Sequence, residues 1–216
     1  CANPINILDA NIVATGQYTN DYTVRSIPFA SHIFTFSQGT SIGASSDDSW
    51  QSAVTLPFTF TFFGQDYTHV YPGTNGLISM GTQSGYCQYS YSVPPTSPPY
   101  SAVPYIYKNC IYGVFEDIDC RYFINSGAVR TGVLGSTPCR AFVFNYQGVG
   151  LYGHNTSGND WYNTYQMVIY EGTNIIDVFV QHRKCCATTN SSNHEGIIGL
   201  QNNTSSQILL APGRGM

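Results

Sequence analysis

The segment Thr55–Phe63 constrains the fold of this chain more than any other. Leu56, Phe58, Phe60 and Phe62 occupy every second position, with Thr55, Pro57, Thr59 and Thr61 between them. A repeat of two is that of a strand with one face in a core and one in water. On a helix the same four side chains would scatter to opposite sides, and no single face could bury them. Gly64 ends the run. Further strands are predicted at Tyr67–Tyr71, Leu77–Met80, Ile111–Phe115, Arg140–Tyr146, Thr164–Tyr170, Ile175–Gln181 and Gly196–Gln201, all rich in β-branched and aromatic residues. Asn75-Gly76 marks a turn before Leu77, and Glu171-Gly172-Thr173-Asn174 joins two strands as a hairpin. The nearly unbroken apolar run Ile175–Val180 predicts a central strand covered on both faces.

Three segments read as loops: Ser92–Pro104 with five prolines, the Gly/Asn-rich Gly153–Asp160, and Ala187–His194. The predicted class is all-β, an antiparallel β-sandwich of jelly-roll or Greek-key type. Residues 26–216 form one domain. Residues 1–25 are either an ordinary first strand or an arm that pairs with a neighbouring subunit's sheet edge.

Composition narrows the function. Asp, Glu, Lys and Arg make up 9% of the chain, against about a quarter in an ordinary soluble domain. Three Glu and two Lys exclude a coiled coil, and 42% hydrophobic residues exclude disorder. Eight basic residues with a net charge of -4 argue against nucleic-acid binding, and no apolar run is long enough for a membrane helix. The 17 Tyr and 12 Phe offer rigid contact area. With so little charge to hold molecules apart, that surface suits adhesion or assembly, though Tyr and Thr are also ordinary strand residues.

The chain has seven cysteines. They lack the paired spacing of a zinc site and indicate an oxidising, extracellular setting. The expectation is a disulfide-stapled domain that draws on Cys87, Cys110, Cys120, Cys139, Cys185 and Cys186. Cys120–Cys139 is the simplest local pair. Cys1 is the leftover thiol and the candidate for an intermolecular link; an N-terminal Cys also suits a bacterial lipoprotein or a trimmed terminus.

Catalytic signatures are missing from the sequence. It has no nucleophile elbow, zinc-protease helix or phosphate loop, and His32, His69, His154, His182 and His194 are scattered. The expectation is a protein that is not an enzyme and carries no organic cofactor. A hydrolase would need a cleft holding a close carboxylate pair with shifted pKa values. In Glu116-Asp117-Ile118-Asp119, alternation sends Asp117 and Asp119 to one side and Glu116 to the other. Asp117 and Asp119 either hold a calcium ion with backbone carbonyls or cap a turn. Asp47-Asp48 is a similar pair. Asn155, Asn190, Asn202 and Asn203 open Asn-x-Ser/Thr sequons.

An ordered set of motifs adds a family resemblance. Ser26-Ile27-Pro28-Phe29, Asp47-Asp48-x-Trp50, Leu56-Pro57-Phe58-x-Phe60-x-Phe62-Phe63-Gly64 and Thr74-Asn75-Gly76-Leu77-Ile78-Ser79 follow one another. Gly113-x-x-x-Asp117-Ile118-Asp119, Pro138-Cys139-Arg140, Thr164–Val178, Ile198-Gly199-x-Gln201-Asn202 and Ala211-Pro212-Gly213-Arg214 complete it. From Ser26 to Arg214 the chain resembles a module of large secreted cell-surface proteins of Bacteroidetes, of the kind exported by the type IX secretion system. It is distantly similar to the nidogen-type extracellular domain of animal matrix proteins. The resemblance implies a β-sandwich outside the cell, in adhesins, filaments or surface layers, with no catalytic residues. Relatives often carry a Cys where this chain has Thr61. The expected function is a structural or adhesive module whose partners are copies of itself. The alternative is a monomeric module that binds a surface glycan or protein, with Trp50 or Trp161 as stacking platforms.

Overall fold

The computed structural model describes residues 19–29, 38–89, 107–153, 161–184 and 196–211. The regular elements among them are all strands: β1 (Thr40–Ser41), β2 (Val54–Phe62), β3 (Gln65–Gly73), β4 (Leu77–Ser79), β5 (Cys110–Phe115), β6 (Ile118–Leu134), β7 (Ala141–Leu151), β8 (Tyr162–Tyr170), β9 (Ile176–Arg183), β10 (Ile197–Gln201) and β11 (Ile208–Leu210). They form two sheets, a five-stranded one in the order β1-β6-β7-β8-β9 and a six-stranded one in the order β11-β10-β5-β4-β3-β2. Every pairing is antiparallel. The chain runs as a meander through β2–β5, crosses to a second meander through β6–β9, and returns beside β5. This connectivity replaces the expected jelly-roll or Greek-key order.

The core lies between the sheets. Phe58, Phe60, Phe62, Val70, Ile78 and Ile111 of one sheet meet Phe142, Phe144, Tyr146, Tyr165, Met167 and Ile169 of the other. The alternation of β2 holds, with Leu56, Phe58, Phe60 and Phe62 buried and Thr55 and Thr59 exposed. Thr61 departs from it. It is buried because Thr61 N–H donates to Asn174 Oδ1 at 3.0 Å and its hydroxyl donates to Asp66 at 2.6 Å. Asn174 lies in the β8–β9 turn, so this amide spans the two sheets.

At Gly113, β5 passes close to β8 of the other sheet. A Cβ there would stand 2.6 Å from Met167 Sδ and 2.7 Å from Tyr165 Cε2. The Tyr146 and Tyr165 rings stack at 4.9 Å, and Tyr146 O–H donates to the Gly73 carbonyl at 2.9 Å. Gly76 N–H serves the same carbonyl. Tyr146→Phe is therefore expected to cost about 1 kcal/mol, one buried hydrogen bond. The check is a lower urea midpoint with an unchanged slope.

Three expectations need correction. First, β9 is an edge strand. Its apolar run is covered on both faces, with Ile176, Val178 and Val180 toward the core and Phe179 against Phe29, but β8 is its one sheet neighbour among the described residues. Second, β6 went unread. Its 17 residues include Asp119, Arg121, Asn125 and Ser126, and two register shifts break the alternation. Third, no two cysteines are joined among the described residues. Cys87, Cys110 and Cys120 are buried free thiols, while Cys139 is disulfide-bonded. The Cys120–Cys139 pair fails because β6 separates the two by roughly 40 Å of extended chain, far beyond the reach of a disulfide.

Residues 1–18, with Cys1, and Cys185 and Cys186 lie outside the described residues, as do most of the three loops. Thr19 and Tyr22, within the segment read as strand or arm, lie against the sandwich: Gly64 N–H donates to the Thr19 carbonyl, and Tyr22 O–H donates to that of Thr61.

Candidate cation site

The crossover between the sheets is two residues long. Glu116 and Asp117 connect the end of β5 to the start of β6. So tight a passage sends their side chains to different surroundings. Glu116 is fully buried, bonded to the Asn163 amide and paired with Arg183 at 3.3 Å. Burial pushes its pKa up, and Arg183 opposes that shift.

Asp117 faces the loop that carries Asp47 and Asp48. This loop is tied to the β3–β4 turn, because Ser49 N–H donates to Thr74 Oγ1 at 2.8 Å and Thr74 N–H to the Ser49 carbonyl at 2.9 Å. Asp48 takes a left-handed backbone, φ 48°, a conformation Asp tolerates better than most residues. Two consecutive carboxylates, which an extended strand would send to opposite faces, can then share one side. Oxygens of Asp47, Asp48 and Asp117 lie within 4.8 Å of one another.

Asn75 organises the surroundings and is itself fully buried. Its Nδ2 donates to Asp48 Oδ1 at 2.8 Å and to the Cys87 carbonyl at 2.6 Å. Its Oδ1 accepts from Ile118 N–H at 2.8 Å. One side chain thus joins the acidic loop, the segment at Cys87 and the start of β6.

Asp119 is held elsewhere. Arg121 grips its carboxylate through Nε at 2.8 and 3.1 Å and through Nη2 at 2.5 Å. The same Nη2 reaches Asp47 Oδ2 at 3.1 Å. The acidic trio is therefore Asp47, Asp48 and Asp117, with Asp119 beside it. Among the described residues, one guanidinium, that of Arg121, bonds to these carboxylates. Burial pushes Asp117 up to about 8, and Asp48, Asp47 and Asp119 add to the shift. Burial, then Asp119 and Asp48, raise Asp47 to about 6 against the pull of Arg121. Asp48 is raised by burial, with the Asn75 bond opposing.

Close carboxylates with raised pKa values are one part of what a hydrolase would need; with Asp117 only 5% exposed, the trio offers a substrate little open surface.

Segments at Asp47-Asp48, Thr74-Asn75-Gly76 and Asp117-Ile118-Asp119 are far apart in the chain, yet they converge here. A family model described as NIDO related matches residues 21–213. The chain belongs to this nidogen-related family. No curated protein matches the chain, and no solved structure does. A nidogen-related domain is an extracellular module, and none of its described residues forms a helix long and apolar enough to cross a membrane.

The remaining candidates of the nidogen-related domain have structural partners. Trp50 is half-buried, edge-on to Tyr107 at 5.0 Å. Trp161 is half-buried, with Lys184 Nζ 5.7 Å above its ring. Neither is a bare stacking platform. His182 stacks on Tyr162 at 4.0 Å, and His69 bonds Thr68 at 3.0 Å. Asn202 is a buried turn residue, whose amide donates to Ser206 and accepts from Gln207 N–H, while Asn203 is exposed. Asn155, Asn190, His32, His154 and His194 lie outside the described residues. Sequence reasoning paired Asp117 with Asp119 and missed Asn75 as the organiser. The usable signal was the ordered motif set, which contains all three converging segments.

Proposed function

We propose that this extracellular domain is a non-catalytic structural or adhesive module that associates with copies of itself. One observation carries the reading: β9 is a long edge strand with few guards. An open edge is a template for another chain, and proteins usually blunt it with Pro, Lys or a short strand. The other edges are blunted. β1 and β11 have two and three residues, and β2 contains Pro57 and gives its Thr61 amide to Asn174. β9 has eight residues with neither Pro nor Lys, and its two charged side chains, Asp177 and Arg183, are engaged by Tyr170 and Glu116; β8 is its sheet neighbour on one side only among the described residues. The 9% charge content leaves little repulsion between copies. The motif resemblance to large Bacteroidetes surface proteins of the type IX cargo kind supports a place in a filament or surface layer, with Cys1 as a candidate covalent link.

Sedimentation of the full chain from about 1 to 200 μM, with and without reductant, tests this. Association that rises with concentration is expected. The exposed Gln181, changed to Lys, should shift it toward monomer. A chain that stays monomeric throughout, under both redox conditions, refutes self-association. Glycan binding by such a monomer would put a ligand-binding module in its place.

A further inference from the structure

We infer that Asp47, Asp48 and Asp117 form a calcium site that locks the sheet-to-sheet crossover to the acidic loop. The inference does not depend on self-association. It rests on two observations.

The first is geometric. Calcium takes hard oxygen ligands at about 2.3–2.6 Å, so two ligands on opposite sides of one ion stand about 4.8 Å apart. Three carboxylates whose oxygens lie within 4.8 Å of one another fit around a single ion without rearranging the backbone. Magnesium demands about 2.0–2.1 Å and keeps several waters, which suits this crowded pocket less well.

The second concerns unmet bonding. Asp117 is 5% exposed, and its carboxylate receives no hydrogen bond and no ion pair among the described residues. It is nevertheless aimed at two other carboxylates. Asp47 Oδ1 is likewise buried without a partner. An uncompensated buried carboxylate is costly, and here the nearest groups repel it. Arg121, the cation at this site among the described residues, is spent on Asp119 and Asp47 Oδ2. A divalent ion between the three side chains supplies the missing charge and gives the Asp117 carboxylate and Asp47 Oδ1 a partner. The surroundings are preorganised for it. Asn75 holds Asp48, the Thr74–Ser49 bonds hold the loop, and β5 and β6 fix Asp117 from both sides. Asp119 and Arg121 act as positioning residues that set Asp47.

Isothermal titration calorimetry and thermal unfolding of the full chain, stripped with a chelator, test the site with Ca²⁺ itself as the probe. One Ca²⁺ per chain should bind saturably, with Mg²⁺ at least tenfold weaker. At saturating Ca²⁺ the melting temperature should rise by about 5–10 °C, the shift that ligand linkage gives a domain of this size. Asp117→Asn keeps the shape of a carboxyl whose charged form burial and its neighbours disfavour, so in chelator it should melt at or above the parent while losing both the binding heat and the Ca²⁺ shift. Asp47→Asn provides a second variant with the same expected loss. Identical melting in Ca²⁺ and chelator, with no saturable heat at millimolar Ca²⁺, overturns the inference and leaves a shared proton in place of the ion. A Ca²⁺ shift that survives in both variants also overturns it, by placing the ion elsewhere.

Discussion

Gly76→Ala should destabilise this nidogen-related domain by roughly 3–5 kcal/mol, whereas Gly85→Ala should cost only about 1–2 kcal/mol. Both glycines have a left-handed backbone, with φ of +85° and +77°, so the conformational penalty on adding a Cβ is shared. The difference lies in the space around them. A Cβ at Gly76 would fall on the Val114 carbonyl oxygen and within 2.6 Å of the Tyr165 hydroxyl, while nothing lies within 4 Å of one at Gly85. The obstacle at Gly76 is backbone of a central strand, which cannot swing aside as a flexible side chain would. Gly113 N–H also donates to the Gly76 carbonyl at 3.0 Å, so a retreat of the turn breaks a bond to β5. Urea unfolding of both variants measures the contrast. Equal losses would mean that the turn yields freely and that the close approach carries no energy.

Asn75→Ala should cost roughly 3–4 kcal/mol, because leaving a buried polar group unpaired costs about 1–3 kcal/mol each time. The substitution strands Ile118 N–H and the Cys87 carbonyl and removes a donor from Asp48. These groups belong to three separate segments, so the loss should loosen them together. The expected signature is a lower urea midpoint with an unchanged slope, and weaker Ca²⁺ binding from the freed Asp48. A loss below about 1 kcal/mol would show that water replaces the amide at all three contacts.

Asn75 and Gly76 also show what the sequence left unread. The dipeptide signals a turn, and a turn is what forms. Its partners, however, come from residues tens of positions away, and no local pattern encodes them. The same holds for the acidic trio. Asp117 and Asp119 alternate along the chain, so one side for both was a fair reading. Arg121, two residues on, takes Asp119 for itself, and the loop at Asp47-Asp48 arrives through tertiary packing. The cysteines were misread for a related reason: the interval between Cys120 and Cys139 looked like a short excursion, but most of it is one strand. In β9, continuous apolarity reported coverage on both faces correctly. It could not report the number of sheet neighbours, because side chains record what lies above and below a sheet rather than beside it.

Local chemistry alone therefore determined the all-β class, the core face of β2, the β8–β9 hairpin and, through the ordered motifs, the family. Each of these depends on residues within a strand's length, where the repeat of two and the turn preferences act directly. The tertiary structure decided which meander lies on which, that β9 has one sheet neighbour among the described residues, and which carboxylates come together. Those outcomes depend on the two-residue crossover at Glu116-Asp117, which brings distant segments together at a single point between the sheets.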